Sequence, residues 1–293
     1  MHDANRVQRA TRRLRRSSRF AVRYLTARWR PLPDFVIIGA QRGGTTSLYT
    51  WLTGLPGVAP SLKKEAHYFD YNHHRGSRWY RAHFALRRGD RITGESSPFL
   101  LFHPLAPARA AAELPAHTKF IVLLRDPTER AISQYWLWRR QQKWEEESLE
   151  RAIELEQERL APYQEQFARG ERSHEHIAHS YVARGEYAEQ LRRWYAAVGR
   201  DRVLVVESER LFSDPAASDE VLAWLGLPPT DVPYPVTNGA PRLEEAGPDL
   251  VARMDAHFEP HNAALRAMLG RDLWRNRRDS ARSGGSAPDP DLA

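Results

Sequence analysis

Residues 35–39 read FVIIG and run directly into AQRGGTTSL at 40–48. A short, continuous apolar run is the signature of a strand buried on both faces, which belongs to a parallel sheet covered by helices. TTSLYTWLTGL (45–55) then reads as a helix. The unit is strand, glycine-rich loop, helix, in which backbone N–H groups and the positive helix end converge on an anion. The nucleotide-triphosphate form of this loop is G-x-x-x-x-G-K-[ST]. Gly39 and Gly44 have that spacing and Thr46 supplies the hydroxyl, but Thr45 occupies the lysine position and the nearest cation is Arg42. The loop suits a phosphate-like anion and departs from the triphosphate form at one decisive residue.

The rest of the chain repeats the alternation. KFIVLLRDP (119–127) predicts a second strong strand and DRVLVVESERL (201–211) a third, while VAPSLKKEAHYFD and RITGESSPFLL read as short strands or loops. Between them lie the helical stretches SRWYRAHFAL, HPLAPARAAAELP, TERAISQYWLWRRQQ, RGEYAEQLRRWYAAVG, DEVLAWLGLP and VARMDAHFEPHNAALRAMLG. Residues 144–169 read as charged, exposed helix. Strands alternating with helices predict an α/β class, a P-loop-like three-layer fold with a central, mainly parallel sheet flanked by helices in a single domain. Such sheets bind ligands at the carboxyl ends of their strands. The loop at 40–48 and the Arg-Asp-Pro at 125–127 both follow strands and are expected to face one crevice.

Charge is unevenly placed. Of 44 Lys and Arg and 37 Asp and Glu, ten arginines and one aspartate fall within residues 1–30, which leaves 34 basic and 36 acidic residues elsewhere. The high isoelectric point therefore describes an arm. Three segments are expected: a basic amphipathic or disordered arm at 1–30, a catalytic body at 31–278 and a disordered tail at 279–293. Val7, Ala10, Leu14, Ala21, Leu25 and Trp29 recur at roughly helical spacing in the arm. A basic amphipathic helix of this kind suits peripheral contact with an anionic membrane surface; a solvated extension fits the composition equally well. Nothing else is arranged as a reader of bases, so no nucleic-acid partner is expected. Mean hydropathy of −0.65 argues against a membrane span. The lack of a signal-type apolar run points to a cytoplasmic protein, at most peripheral at the inner membrane surface. The chain has no cysteine, which excludes disulfides, thiolate catalysis and cysteine-ligated metal.

Three ordered segments, FVIIGAQRGGTTSLYTWL, LKKEAHYFD and KFIVLLRDPTERAISQYW, resemble the sulfotransferases that use 3′-phosphoadenosine 5′-phosphosulfate (PAPS), nearest to the bacterial and carbohydrate, heparan-sulfate-like branch. GESSP, RGEYAEQLRRW and FEPHNAALRAMLGRDLW add weaker support, and the resemblance spans roughly residues 34–276. It implies that Arg42, Gly43, Gly44, Thr45 and Thr46, with Ser47 adjacent, hold the 5′-phosphosulfate. This branch commonly has lysine where Arg42 stands. Arginine keeps the charge, so it can act as an electrostatic clamp, but it does not give up a proton. The 3′-phosphate site maps onto Arg125, whose planar fork suits phosphate, and onto Ser133, eight residues later. Arg242, with Asn238 and Gly239, is the only counterpart of the family's C-terminal adenosine loop.

In LKKEAHYFD the resemblance makes Glu65 the base that takes a proton from the attacking hydroxyl, with His67 and Asp70 in support. Histidine serves as base in other branches, so His67 is the second candidate. A base of this kind is expected to have its pKa raised by burial. Alternation along an extended segment would put Glu65 and His67 on one face with Lys63 and turn Lys64 away. Glu95 and Ser97 of GESSP are candidate acceptor contacts. Trp51, Tyr68, Trp136 and Trp138 fit a sugar-stacking surface or the core. The histidine-rich SHEHIAHS (173–180) lacks a second ligand cluster, and the donor is activated by its own leaving group, so no metal is expected. The implied activity is in-line sulfuryl transfer from PAPS to a hydroxyl of a carbohydrate, glycolipid or related small molecule. Two rivals remain at this point: a P-loop kinase using ATP and Mg²⁺, and a non-catalytic protein that binds membranes or polyanions through residues 1–30.

Overall fold

Phe35–Gly39 (β1) forms the middle of a five-stranded sheet completed by Val58–Pro60 (β2), Ile92–Ser96 (β3), Lys119–Leu124 (β4) and Val203–Glu207 (β5). The order is β2-β3-β1-β4-β5, and every pairing is parallel. These features come from a computed structural model that describes residues 18–235 and 246–274. The main flanking helices are Thr45–Gly54 (α1), Gly76–Arg81 (α2), Ala106–Glu113 (α3), Pro127–Trp136 (α4), Tyr187–Val198 (α5), Ser208–Ser213 (α6), Pro215–Leu225 (α7) and Pro248–Leu269 (α8).

The strands are apolar on both sides because both sides are covered. Val36, Ile38, Phe120, Val122 and Leu124 pack with Leu191 and Trp194 of α5 and Leu265 of α8. The alternating residues Phe35, Ile37, Ile121 and Leu123 pack with Leu48 and Leu52 of α1 and Val221 and Leu222 of α7. Trp194 is fully buried, so its truncation to alanine would cost about 3–5 kcal/mol. The chain leaves β1 toward β2 on one side and crosses to β4 on the other. The carboxyl end of β1 is therefore the switch point where such sheets open a crevice.

Three regions differ from the sequence expectation or qualify it. Residues 144–169 are not one exposed charged helix. They break into Leu149–Glu154, Glu156–Leu160 and Gln164–Ala168, and two of their acids are buried. Glu145 is held by Arg159 at 2.7 Å and by the Tyr181 hydroxyl at 2.8 Å. Glu156 accepts from the backbone N–H groups of Val182 at 2.6 Å and Ala183 at 2.9 Å. Buried acids persist only with such partners, and burial still pushes Glu156 up to about 7. Second, α4 runs into π-helical turns at Leu137–Gln142, ended by Lys143 in the left-handed region. Third, residues 18–30 of the basic stretch meet the body: Arg23 donates to the His83 carbonyl, buried Arg30 to that of Phe84 at 2.8 Å, and Phe20 lies 5.3 Å from the His83 ring. Residues 1–17 and the tail at 279–293 lie outside the described residues.

Candidate active site

The loop after β1 is built from contacts that admit no side chain. Ala40 N–H donates to the Leu123 carbonyl at 2.7 Å, which ties the loop to β4. A Cβ on Gly43 would lie 2.6 Å from the Leu123 carbonyl oxygen and 3.0 Å from that of Ala40. Gly44, at φ 85°, caps α1 in the left-handed region and offers no side chain to the first-turn N–H groups. A helix start without a side-chain cap is a favourable place for an outside anion. Thr45 is buried at the start of α1, Thr46 is exposed and Ser47 is half-buried.

Arg42, itself at φ 70°, donates through Nε to Ser133 Oγ at 2.9 Å. Arg125, at the end of β4, reaches the Arg42 carbonyl at 3.3 Å and pairs with Glu129 at 3.2 Å. The phosphate-type loop and the Arg125–Ser133 pair thus meet through Arg42, although their residues are separated by more than eighty positions. Burial, and then the neighbouring Arg125, lower the Arg42 pKa. Two guanidiniums close together, with helix N–H groups beside them, make an electropositive place that an anion would relieve.

Glu65, His67 and Asp70 form a second group at the same opening. His67 Nδ1 lies 2.7 Å from Asp70 Oδ2 and its Nε2 3.3 Å from Glu65 Oε2. Tyr71 stacks on the imidazole at 4.5 Å. Burial opposes charge on His67, but the two carboxylates outweigh it and hold its pKa at about 9. Burial pushes Glu65 up as well, yet His67 and Lys64 bring it down to about 2. This reverses the raised pKa expected of Glu65: its contacts are with cations, and these outweigh desolvation.

Lys64, not Lys63, joins this group, with Nζ 2.6 Å from Glu65 Oε1, while Lys63 is exposed. Strand alternation fails here because residues 61–72 form bends and turns after β2, with His67 at φ 53°. Glu95 and Ser97 are fully buried and cannot meet an acceptor directly. They hold the Glu65–His67 loop from beneath: Glu95 Oε2 accepts from Ala66 N–H at 3.1 Å, Ser97 Oγ accepts from His67 N–H at 3.1 Å, and Tyr80 donates to Glu95 Oε1 at 2.8 Å. Burial pushes Glu95 up to about 7 despite these donors. Trp51 and Tyr68 are core residues, bonded to the Val232 carbonyl and to Glu113 respectively. Trp136 is half-buried beneath the Arg140 guanidinium. Arg242, Asn238 and Gly239 lie outside the described residues.

The sequence reading missed Arg184, Gln41 and Trp144. Arg184 is buried, bonds Gln41 Oε1 and the carbonyls of His176 and Ile177, and lies 4.6 Å above the Phe99 ring. Its only sequence signal is its place in RGEY. In the histidine-rich segment, His176 is bonded to Ser173 and Gln164. Among the described residues, the group with metal-ligand spacing is Glu186, His257 and His261, and none of these lines the cleft as a set.

Gln41, Arg42, Thr45, Thr46, Glu65 and His67 line one cleft of about 380 Å³, together with Tyr71, Phe99, Trp138, Trp144 and Arg184. An anion-holding loop and an ionised carboxylate therefore face the same space. That arrangement can hold an anionic donor beside a group able to take a proton.

Comparison with known proteins gives the same direction. A family model described as a sulfotransferase domain matches residues 32–238, well over half of the chain. Heparan sulfate glucosamine 3-O-sulfotransferase 3B1 of Mus musculus is 34% identical over 199 residues, covering 67% of this chain and 46% of that protein. Heparan sulfate glucosamine 3-O-sulfotransferase 6 of Homo sapiens is 30% identical over 269 residues, 83% of this chain and 74% of that protein. The chain thus spans about half the length of the first of these relatives. The crystal structure of a sulfotransferase from Alicyclobacillus acidocaldarius aligns with a TM-score of 0.70 at 30% identity, over 85% of this chain and 100% of that one. On the domain match and these likenesses, the chain belongs to the sulfotransferase family.

Proposed function

We propose that the protein transfers a sulfuryl group from PAPS to a hydroxyl of a carbohydrate or glycolipid acceptor. The observation that carries this reading is the shared cleft of the anion loop and Glu65. Arg42, Gly43, Gly44, Thr45, Thr46 and Ser47 would hold the 5′-phosphosulfate, and Arg125 with Ser133 the 3′-phosphate. The acceptor oxygen bonds to sulfur as the sulfur–oxygen bond to the phosphate breaks, and Glu65 takes the hydroxyl proton. Arg42 and the first-turn N–H groups of α1 stabilise the charge that gathers on the leaving phosphate oxygen. His67 has both ring nitrogens committed to carboxylates, which favours Glu65 over His67 as the base. The names of the curated relatives, heparan sulfate sulfotransferases, support a carbohydrate acceptor.

The test is incubation with labelled PAPS and a glycan and glycolipid panel, read by mass spectrometry, with and without a divalent-metal chelator. Transfer that survives the chelator is expected. If neither PAPS nor its desulfated product binds, the reading is wrong; magnesium-dependent ATP turnover would favour a kinase.

A membrane-surface role for the basic segment is supported by a separate observation. Val22, Leu25 and Trp29 expose 61%, 69% and 59% of their surface, with Arg19 and Arg28 beside them. Exposed apolar residues in a basic belt fit the interface of an anionic bilayer. Sedimentation with phosphatidylglycerol vesicles should fall when Leu25 and Trp29 are changed to serine; unchanged sedimentation would refute this role.

A further inference from the structure

Beyond Glu65, the cleft wall is formed by Tyr71, Phe99, Leu137, Trp138, Trp144 and Ile177, with Arg184 as its one charged member. Two of these residues owe their placement to irregular backbone. The π turns at 137–142 and left-handed Lys143 fold the chain back, so that Trp144 N–H donates to the Trp138 carbonyl at 3.0 Å. Their rings stack with centroids 4.7 Å apart and planes at 26°. π-helical insertions are rare and cluster at functional places. Trp138 is 6% exposed, and its Nε1 meets no hydrogen-bond partner among the described residues. Trp144 is 37% exposed. The pair is therefore a rigid aromatic wall with one ring anchored and the other open.

Two arginines line this cleft, Arg42 and Arg184. Arg184 donates from its two terminal nitrogens to Gln41 and to the His176 and Ile177 carbonyls, and lies against Phe99. Arg42 is bonded to Ser133 within the anion loop, and Lys64 is held by Glu65. At the rim, Arg172 sits over the Tyr71 ring at 5.2 Å. A polysulfated acceptor would bring several charges to a wall whose one cation, Arg184, is buried and already hydrogen-bonded, and unpaired charge next to apolar surface is costly. A neutral sugar ring has an apolar C–H face and a hydroxyl edge, the pairing that indole faces accommodate.

We propose that the acceptor is an uncharged sugar or glycoside whose ring lies against Trp138 and Trp144 with its reacting hydroxyl toward Glu65, and that polyanionic glycans are poor acceptors. This inference rests on the sulfotransferase reading above and parts from the acceptor named in the curated relatives.

The experiment uses the full chain and PAPS with two acceptor sets of matched length: neutral oligosaccharides and alkyl glycosides, and sulfated uronic-acid-containing oligosaccharides. Binding of the desulfated donor is measured in parallel. The neutral set should be favoured in kcat/KM by about tenfold or more, and Trp144→Ala should raise KM for neutral acceptors about tenfold with donor affinity unchanged. Because Trp138 is largely buried, Trp138→Phe is the companion variant; it should fold and raise KM less than Trp144→Ala. Preference for the sulfated set, or a Trp144→Ala KM within about twofold of the parent, would overturn the inference. Absence of donor binding would remove the sulfotransferase reading and this inference together, whereas donor binding with reversed acceptor preference removes this inference alone.

Discussion

The Nε2 of His67 lies 3.3 Å from Oε2 of Glu65, and this contact decides which of the two can accept a proton. With Asp70 at 2.7 Å from Nδ1, both imidazole nitrogens act as donors, and the ring is held charged with a pKa of about 9. Glu65 is ionised and keeps part of its surface open to the cleft. Glu65→Gln should therefore lower kcat by about 10²- to 10⁴-fold, the usual contribution of a positioned base. Donor affinity should stay near that of the parent, because Glu65 is outside the anion loop. Steady-state turnover paired with calorimetric binding of the desulfated donor separates the two. A Gln variant with intact kcat would remove Glu65 from the chemistry.

The same contact makes stability depend on pH in a defined direction. The folded pKa of His67 is raised from 6.5 to about 9, so its contribution is fully present below 6.5 and fades as pH rises through about 9. The folded pKa of Glu65 is lowered from 4.5 to about 2, so its contribution is present above 4.5 and fades as pH falls through about 2. Both contribute fully between about 4.5 and 6.5. The difference in Tm between the parent and His67→Gln, followed by calorimetry, should be widest in that window and narrow by pH 9. A constant difference from pH 6 to 9.5 would contradict the assigned charge on His67.

Beneath the loop that carries Glu65 and His67, Glu95 supports Ala66 N–H, the Ser97 hydroxyl and the Tyr80 hydroxyl with its two oxygens. Glu95→Ala should leave several buried donors without acceptors and cost about 2–4 kcal/mol. It should also reduce turnover by loosening Glu65 and His67. Glu95→Gln keeps an acceptor for Ala66 and should cost less. Burial raises the Glu95 pKa to about 7. The folded state therefore retains this proton between 4.5 and 7 while the unfolded chain releases it, and stability from this group declines over that range. Urea titrations at pH 5 and 7 should show the decline in the parent and its loss in Glu95→Gln.

The sequence made the sheet, the loop at 40–48 and the convergence of Arg125 with Arg42 readable, because each follows from an apolar strand and what stands at its carboxyl end. The details around Glu65 were less readable. Alternation assigned Lys63 to the site, but the chain turns after Pro60 and His67 adopts a positive φ, so neighbouring side chains no longer alternate. Glu145 and Glu156 fell in a stretch read as exposed, and Glu95 was read as an acceptor contact, because nothing local marks a buried carboxylate. Their burial depends on donors from distant segments, such as Val182 N–H for Glu156 and Tyr181 for Glu145. Arg184 was hidden for the same reason: it meets Gln41 across 143 residues.

Arg125 tests the proposed 3′-phosphate contact. Its guanidinium is held by Glu129 at 3.2 Å and by the Arg42 carbonyl at 3.3 Å, so it is oriented before any ligand arrives and little side-chain entropy remains to be lost on binding. A charged hydrogen-bonding group of this kind contributes about 1.5–3 kcal/mol. Arg125→Ala should weaken binding of adenosine 3′,5′-bisphosphate by about 10- to 100-fold and leave binding of adenosine 5′-phosphate, which lacks the 3′ group, within about threefold of the parent. Arg125→Lys keeps the charge but loses the fork and should fall between the two. Calorimetry on both nucleotides checks this. Equal losses for the two ligands would mean that Arg125 shapes the loop through the Arg42 carbonyl without reading the 3′-phosphate.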